Sequence, residues 1–166
     1  KYLNEASKLF KNNKKYIGFS ITGGHPTRKK EMSMETIIEV ANYYSNKDFI
    51  PTFLIEEKYK EKINMIKKMV RNPYFPEHLV HPSLKNPFLV IAIGQKLDSA
   101  ISIDNGIMHM LGLAGTKTAI FFNISSNKFK PFNENKSRVY CSSENKTKKV
   151  EDLTSDDVIN FVKDFI

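Results

Sequence analysis

The chain has 166 residues, which fits one folded domain, and its 26 basic and 18 acidic residues give a net charge of +8. Its single cysteine excludes an internal disulfide, and no apolar run reaches the roughly 18 to 20 residues that a membrane-spanning helix needs. We therefore expect a cytoplasmic protein that is soluble or at most peripheral to a membrane.

The first part of the chain predicts a helix, a strand, a loop and a second helix. Apolar residues recur at helical spacing over residues 2–10, and the β-branched and aromatic residues of 16–21 predict a strand. Residues 22–30 are rich in glycine and proline and predict a loop. Ser33 is placed to cap a helix that reaches Tyr44, which completes a strand, loop and helix unit.

The rest of the chain repeats this alternation. Residues 49–55 predict a strand and 57–70 a helix, whereas four prolines make 71–87 irregular apart from a short strand over 78–81. The remaining predicted elements are a helix over 88–96, a strand over 100–103, a helix from 107, strands over 118–122 and 138–141, and a final helix capped within 153–157. This alternation indicates an α/β fold with about six strands in a doubly wound, mainly parallel, Rossmann-like sheet.

A turn of sequence Asp-Asn-Gly is the strongest candidate for a ligand site. Asp104 ends a β-branched strand, and Asn105 and Gly106 lead directly into an apolar helix, which turns main-chain amides toward an anion. The alternative is a plain turn that needs Gly106 for a positive φ. His109, on the same helix, either packs among its apolar neighbours or faces a ligand from the first turn.

The loop after the first strand is the second candidate. It offers a hydroxyl, main-chain amides and cations, all of which bind phosphate. These groups belong to Thr22, Gly23, Gly24, Arg28, Lys29 and Lys30. Singly, the lysines are also explained as solvated surface residues. In a doubly wound sheet both loops open onto one crevice, and together they predict a site for a sugar nucleotide, with Asp104 on the sugar hydroxyls.

Several other kinds of site have no support in the sequence. The dinucleotide pattern G-x-G-x-x-G, the P-loop pattern and the G-x-S-x-G elbow are all absent. His78 and His81 lack partners at metal-ligand spacing, and Cys141 lies in no recognisable nucleophile context. We expect no metal and no tightly bound cofactor, the nucleotide diphosphate sugar being a substrate.

Residues 103–110, together with 118–122, resemble the Asp-[Thr/Ser]-Gly-x-x-His segment of glycosyltransferase family 9, the heptosyltransferase family. Residues 16–30 are similar to that family's first strand and its Gly/Ser/Thr loop ending in lysine. The resemblance implies the C-terminal, donor-binding half of a two-domain GT-B enzyme that transfers a sugar with inversion, usually from ADP-heptose. Residues 1–15 would then be a linker helix from an N-terminal domain, and 16–166 the donor-binding domain.

The resemblance also implies donor-binding roles within the Asp-Asn-Gly turn. Asp104 would bind sugar hydroxyls, the amides of Asn105 and Gly106 would hold the diphosphate, and His109 would support the turn or the phosphate. The family usually has Thr or Ser at the position of Asn105. In the first loop, Thr22 would contact a phosphate, and Lys30, or alternatively Lys29, would neutralise it.

The general base of such an enzyme is expected in the N-terminal domain, so we expect no catalytic residue here and no sugar transfer by this chain alone. The acceptor would be a lipopolysaccharide or surface glycan, reached at the inner face of a bacterial inner membrane. Met32-Ser33 replaces the family's usual Trp-Pro, which leaves a degenerate, non-catalytic sugar-nucleotide-binding module as an alternative. The net charge also suggests a nucleic-acid or membrane-surface binder, but no nucleic-acid motif is recognisable, so nucleic acid is not expected.

Overall fold

The computed structural model describes residues 1–23, 30–124 and 134–166, and within these ranges five strands form one parallel sheet. The strands are β1 (Lys15–Ser20), β2 (Phe49–Phe53), β3 (Ser99–Ile103), β4 (Thr118–Phe122) and β5 (Ser137–Cys141), in the spatial order β2-β1-β3-β4-β5. Every residue of β3 and β4 is buried, as expected for parallel strands covered on both faces.

Helices cover both faces of the sheet. They are α1 (Tyr2–Leu9), α2 (Met34–Ser45), α3 (Lys60–Met69), α4 (Pro87–Gly94), α5 (Gly106–Ala114), the short α6 (Ser142–Asn145) and α7 (Ser155–Val162). Buried residues of α2, α3 and α7 share one apolar core, and those of α1, α4 and α5 share another. The structure therefore confirms the predicted doubly wound, parallel α/β fold.

The prediction of a strand over 78–81 is wrong, and this accounts for the difference between the six expected strands and the five in the described ranges. Pro76–Leu79 forms a turn of 3-10 helix. The main chain of Tyr74 instead pairs with β2, once as donor and once as acceptor at 2.8 Å each. Pro73 and Pro76 flank Tyr74 and have no N–H, so this pairing does not extend into a strand.

Side-chain caps begin two helices where the sequence predicts them. Ser33 Oγ accepts a hydrogen bond from Thr36 N at 3.0 Å and caps α2. At α7, Thr154 Oγ1 accepts from Asp157 N at 3.3 Å, and the Asp157 carboxylate accepts from Thr154 N at 2.9 Å, a reciprocal capping box. Both predicted caps are confirmed.

We expect Asp157→Asn to lower the free energy of unfolding at pH 7 by about 1 kcal/mol, because a neutral amide oxygen accepts weaker hydrogen bonds from Thr154 and Lys148 than the carboxylate does. Hydrogen bonds from Lys148 and Thr154 lower the pKa of Asp157 to about 2, so its charged form stabilises the native state. That contribution is present above pH ~4 and is lost as the pH falls through ~2. Urea unfolding at pH 7 and pH 2 measures it. Asp156→Asn, one residue earlier, is the matched control, and an equal deficit of Asp157→Asn at both pH values would contradict the assignment.

Candidate functional site

The crevice between the carboxyl ends of β1 and β3 is the place where the chain leaves the sheet in opposite directions. After β1 the chain continues to α2 on one face, and after β3 it continues to α5 on the other. Ligands of open α/β sheets bind at such a switch point. Both loops predicted from the sequence, at Thr22 to Lys30 and at Asp104 to Gly106, start at this crevice.

Asn105 joins the two loops at this point. Its Oδ1 accepts a hydrogen bond from Met108 N at 3.0 Å and caps α5. Its Nδ2 donates to Ser20 Oγ at 2.7 Å and to the carbonyl of Thr22 at 3.0 Å. Asn105 thus performs the capping role for which Ser and Thr are also suited, and it also ties the end of β3 to the end of β1.

The two partners of Asn105 at the end of β1 are both buried. Thr22 is 7% exposed and Ser20 is 1% exposed. Burial therefore limits how far the Thr22 hydroxyl can reach a ligand in the crevice. Sequence reasoning did not identify Ser20, because its role depends on Asn105, 85 positions further along the chain. The sequence signal that could have identified Ser20 is a small hydroxyl residue at the end of a buried strand.

The start of α5 has the geometry of an anion site. The N–H groups of Gly106 and Ile107 occupy the first two helical positions, which have no acceptor in their own helix and lie at the positive end of its dipole. A Cβ added to Gly106 would meet no atom within 4 Å. Gly106 is not among the positive-φ glycines of the described residues, so the plain-turn reason for a glycine does not apply. The space above its backbone is open.

Lys30 and Asp104 lie side by side at the mouth of the crevice. Their Nζ and Oδ2 atoms are 3.4 Å apart, and the side chains are 13% and 19% exposed. One loop therefore brings a cation, and the other a carboxylate, to the turn that carries the Gly106 amide. The ammonium of Lys30 can bind a phosphate and the carboxylate of Asp104 can bind sugar hydroxyls, so both kinds of group are present at one point of the crevice.

The amide of Gly23 has a partner within the chain. Gly23 N donates to Glu31 Oε1 at 2.7 Å, and Lys62 Nζ pairs with the other oxygen of the same carboxylate. A phosphate bound by this amide would have to displace Glu31. The remaining predicted groups of this loop, Gly24, Arg28 and Lys29, lie outside the described residues.

A pocket of about 540 Å³ lies beside the turn, at the same edge of the sheet. Val90 of α4 and Ile107 and Met110 of α5 supply apolar wall, and the segment after β2 and the turn at Glu77 supply charged groups. His78 Nε2 lies 2.8 Å from the carbonyl of Ile55, which holds that turn against the end of β2. Sequence reasoning missed this pocket, since three separate segments form it.

Other predicted residues lie apart from these contacts. The side chain of His109 is exposed on α5, which disagrees with packing among apolar neighbours. Cys141 is buried, and its Sγ donates to the carbonyl of Ile124 at 3.2 Å. Within the described ranges, no group of three or more His, Cys, Asp or Glu is arranged to hold a metal. In that same part of the chain, no helix has the length and hydropathy to cross a membrane.

Comparison with solved structures finds the same fold in glycosyltransferases. A glycosyl transferase of family 9 from Veillonella parvula matches 99% of this chain with a TM-score of 0.78 at 16% sequence identity. E. coli heptosyltransferase WaaC, solved with ADP, matches 99% with a TM-score of 0.77 at 11% identity. E. coli ADP-heptose lps heptosyltransferase II matches 98% with a TM-score of 0.69 at 13% identity. No protein-family model matches this sequence, and no curated protein matches it either.

These matches cover 51%, 48% and 51% of the three solved chains, so this chain spans about half of their length. The predicted resemblance to glycosyltransferase family 9 is confirmed at the level of the fold. The three solved proteins are glycosyltransferases, and what this chain shares with them is the fold.

Proposed function

We propose that this chain is the donor-binding unit of an inverting, heptosyltransferase-type glycosyltransferase and that it binds a nucleotide diphosphate sugar such as ADP-heptose. The observation that carries the proposal is the turn from Asp104 to Gly106, which brings the first amides of α5, a carboxylate and the Lys30 cation together at the switch point of the sheet. The similar solved heptosyltransferase with ADP supports the choice of an ADP donor.

The diphosphate is proposed to lie over the start of α5. The N–H groups of Gly106 and Ile107 would donate to its oxygens, and the open space above Gly106 admits them close to the backbone. Lys30 would place its ammonium on the same group. As the sugar leaves the diphosphate, negative charge grows on the phosphate oxygens, and donors already in position stabilise that charge.

The sugar and the nucleoside are proposed to extend from the diphosphate to opposite sides. Asp104 would accept hydrogen bonds from sugar hydroxyls, as carboxylates do. The nucleoside would enter the pocket beside Ile107. The pocket has a volume of about 540 Å³, which lies within the ~300 to 1,000 Å³ typical of small-molecule sites. The acceptor, proposed to be a lipopolysaccharide or surface glycan, and the general base would come from the other half of the enzyme.

Calorimetric titration of the chain with ADP-heptose, ADP and UDP tests this proposal. We expect ADP-heptose and ADP to bind and Asp104→Ala to weaken ADP-heptose more than ADP, since ADP lacks the sugar. No heat from any of the three at saturating concentration, with the protein shown to be folded by circular dichroism, would contradict the proposal.

We expect Gly106→Ala to weaken ADP binding by about tenfold or more, because the added methyl group fills the open space and keeps the diphosphate from the Gly106 N–H, which costs one hydrogen bond to a charged group. Its stability should be unchanged or slightly higher, because the new methyl group meets no atom of the chain and alanine favours a helix over glycine. Thermal unfolding and calorimetry measure the two effects.

Gly18→Ala is the contrasting variant. Gly18 lies inside the sheet, and its added Cβ would lie 2.6 Å from Leu97 Cδ1. We therefore expect the same Gly→Ala change to lower the free energy of unfolding at this position. If Gly106→Ala also lost stability, or bound ADP like the wild type, the proposed approach of the diphosphate to this backbone would be wrong.

A further inference from the structure

The pocket beside α5 contains three glutamates, and they differ in how they are paired. Glu56 forms an ion pair with Lys58 at 2.9 Å, and Glu57 forms one with Lys85 at 3.0 Å. Within the described part of the chain, the carboxyl group of Glu77 has no ion pair and no hydrogen bond, although it is partly buried and lines the pocket. Its hydrogen-bonding capacity is therefore available to a ligand.

The surroundings of Glu77 favour its neutral form. Burial, and then the negative charge of Glu56, raise its pKa to about 7, against a smaller opposing effect of Lys85. The other charged or titratable groups lining the pocket are Glu57, Lys58 and His78, and the α4 and α5 walls contribute apolar side chains. Near neutral pH the Glu77 carboxyl thus exists in both protonation states.

Only the neutral state of a carboxyl group matches the acceptor and the donor that adenine presents side by side. A neutral carboxyl has an O–H donor beside a carbonyl acceptor, whereas a carboxylate has two acceptors. Adenine offers a ring-nitrogen acceptor next to its exocyclic N–H donor, which complements the neutral carboxyl, while guanine offers neighbouring acceptors on the corresponding edge. The apolar walls from Val90, Ile107 and Met110 suit the faces of a planar base.

We propose that Glu77 reads the base of the bound nucleotide and that its carboxyl group, which has no partner in this pocket among the described residues, selects adenine by pairing with an adjacent acceptor and donor of that base. The inference rests on the proposed donor site, because it needs the nucleoside in this pocket. It makes Glu77 a specificity-determining residue and makes donor binding dependent on pH.

Calorimetric titration with ADP-glucose and GDP-glucose at pH 6 and pH 8 tests the inference. Both ligands carry a doubly substituted diphosphate, so their own charge does not change in this range. We expect the affinity of the wild type for ADP-glucose to fall about tenfold from pH 6 to pH 8, following the neutral fraction of a group with a pKa of about 7. GDP-glucose should bind more weakly than ADP-glucose at pH 6, and the gap should narrow at pH 8.

Glu77→Gln keeps a donor beside an acceptor at every pH. We expect this variant to bind ADP-glucose at pH 8 as tightly as the wild type does at pH 6, with no pH dependence of its own. Glu77→Leu should bind the two sugar nucleotides with similar affinity, and its circular dichroism shows whether it is folded. Glu61→Gln, an exposed residue of α3 outside the pocket, should behave as the wild type.

The outcomes separate the inference from the proposed function. If the sugar nucleotides bind but Glu77→Gln retains the pH dependence and the base preference of the wild type, Glu77 does not read the base, and the donor site stands. If neither ligand binds at either pH, the donor site itself is wrong, and the inference is wrong with it.

Discussion

Replacing Asn105 by alanine is expected to lower the free energy of unfolding by about 2 to 3 kcal/mol, the sum of a lost helix cap and two lost side-chain hydrogen bonds. The cap is the bond from Met108 N, and the two others run to Ser20 Oγ and to the carbonyl of Thr22. Because Ser20 is 1% exposed, its hydroxyl would be left without this partner in a buried place. Urea unfolding followed by circular dichroism measures the change.

The same variant should lose most of its affinity for ADP. The Asn105 side chain holds the end of β3 against the end of β1. Without it, the first amides of α5 and the ammonium of Lys30 are no longer held in fixed positions relative to each other. Asn105→Thr retains a capping oxygen but lacks the amide donor, so it should recover part of the stability and less of the affinity.

Thr154→Ala is the control for cap loss alone. It removes a cap at α7 and should lower stability by about 1 kcal/mol without changing ADP affinity. If Asn105→Ala bound ADP like the wild type once the two proteins were compared at temperatures where both are folded, the two loops would not form one site.

Replacing Lys30 by methionine is expected to weaken ADP binding by about tenfold to 100-fold, since hydrogen bonds to charged groups contribute about 1.5 to 3 kcal/mol. Lys30 is 13% exposed and lies at the turn that carries the Gly106 amide, so its charge is poorly screened by solvent. Methionine keeps the apolar length of the side chain. Calorimetry at two salt concentrations measures the affinity, and the wild type should lose more affinity with salt than the variant.

Lys62→Met is the matched control, because Lys62 of α3 also pairs with a partly buried carboxylate, that of Glu31, the residue next to Lys30. We expect it to change ADP affinity by less than about fivefold, the range of a partly exposed ion pair. Equal losses in the two variants would show that general positive charge, rather than the position of Lys30, attracts the nucleotide.

The local parts of the fold could be predicted from the sequence because their causes are local. Ser33 and Thr154 cap helices through contacts three residues away, and the apolar run 118–122 forms a buried strand. The strand expected over 78–81 failed for an equally local reason, because Pro76 begins a 3-10 turn, Pro76–Leu79, that takes up the first half of that segment.

The candidate site could be predicted in part. Asp104, Asn105 and Gly106 were identified because a strand that ends in this turn and enters a helix is visible in ten residues. The pairing of the Gly23 amide with Glu31 was not, and neither was the link from Asn105 to Ser20, since both depend on how distant loops meet. The pocket at Glu77 belongs with these, because it forms only when the segments after β2, before α4 and in α5 come together.

The departure at Asn105 acquires a physical meaning from these contacts. Where the family usually has Thr or Ser, the asparagine provides the same cap with its oxygen and uses its amide nitrogen to hold the first loop. The start of α5 therefore keeps its anion-binding geometry.

A crystal structure of the chain with ADP tests the central claim most directly. We predict that diphosphate oxygens lie within about 3.2 Å of the amide nitrogens of Gly106 and Ile107. The ammonium of Lys30 should contact the same group, and the adenine should lie in the pocket beside Glu77. Diphosphate bound elsewhere, for example over the basic residues around Lys14 and Arg71 at the opposite edge of the sheet, would contradict the account.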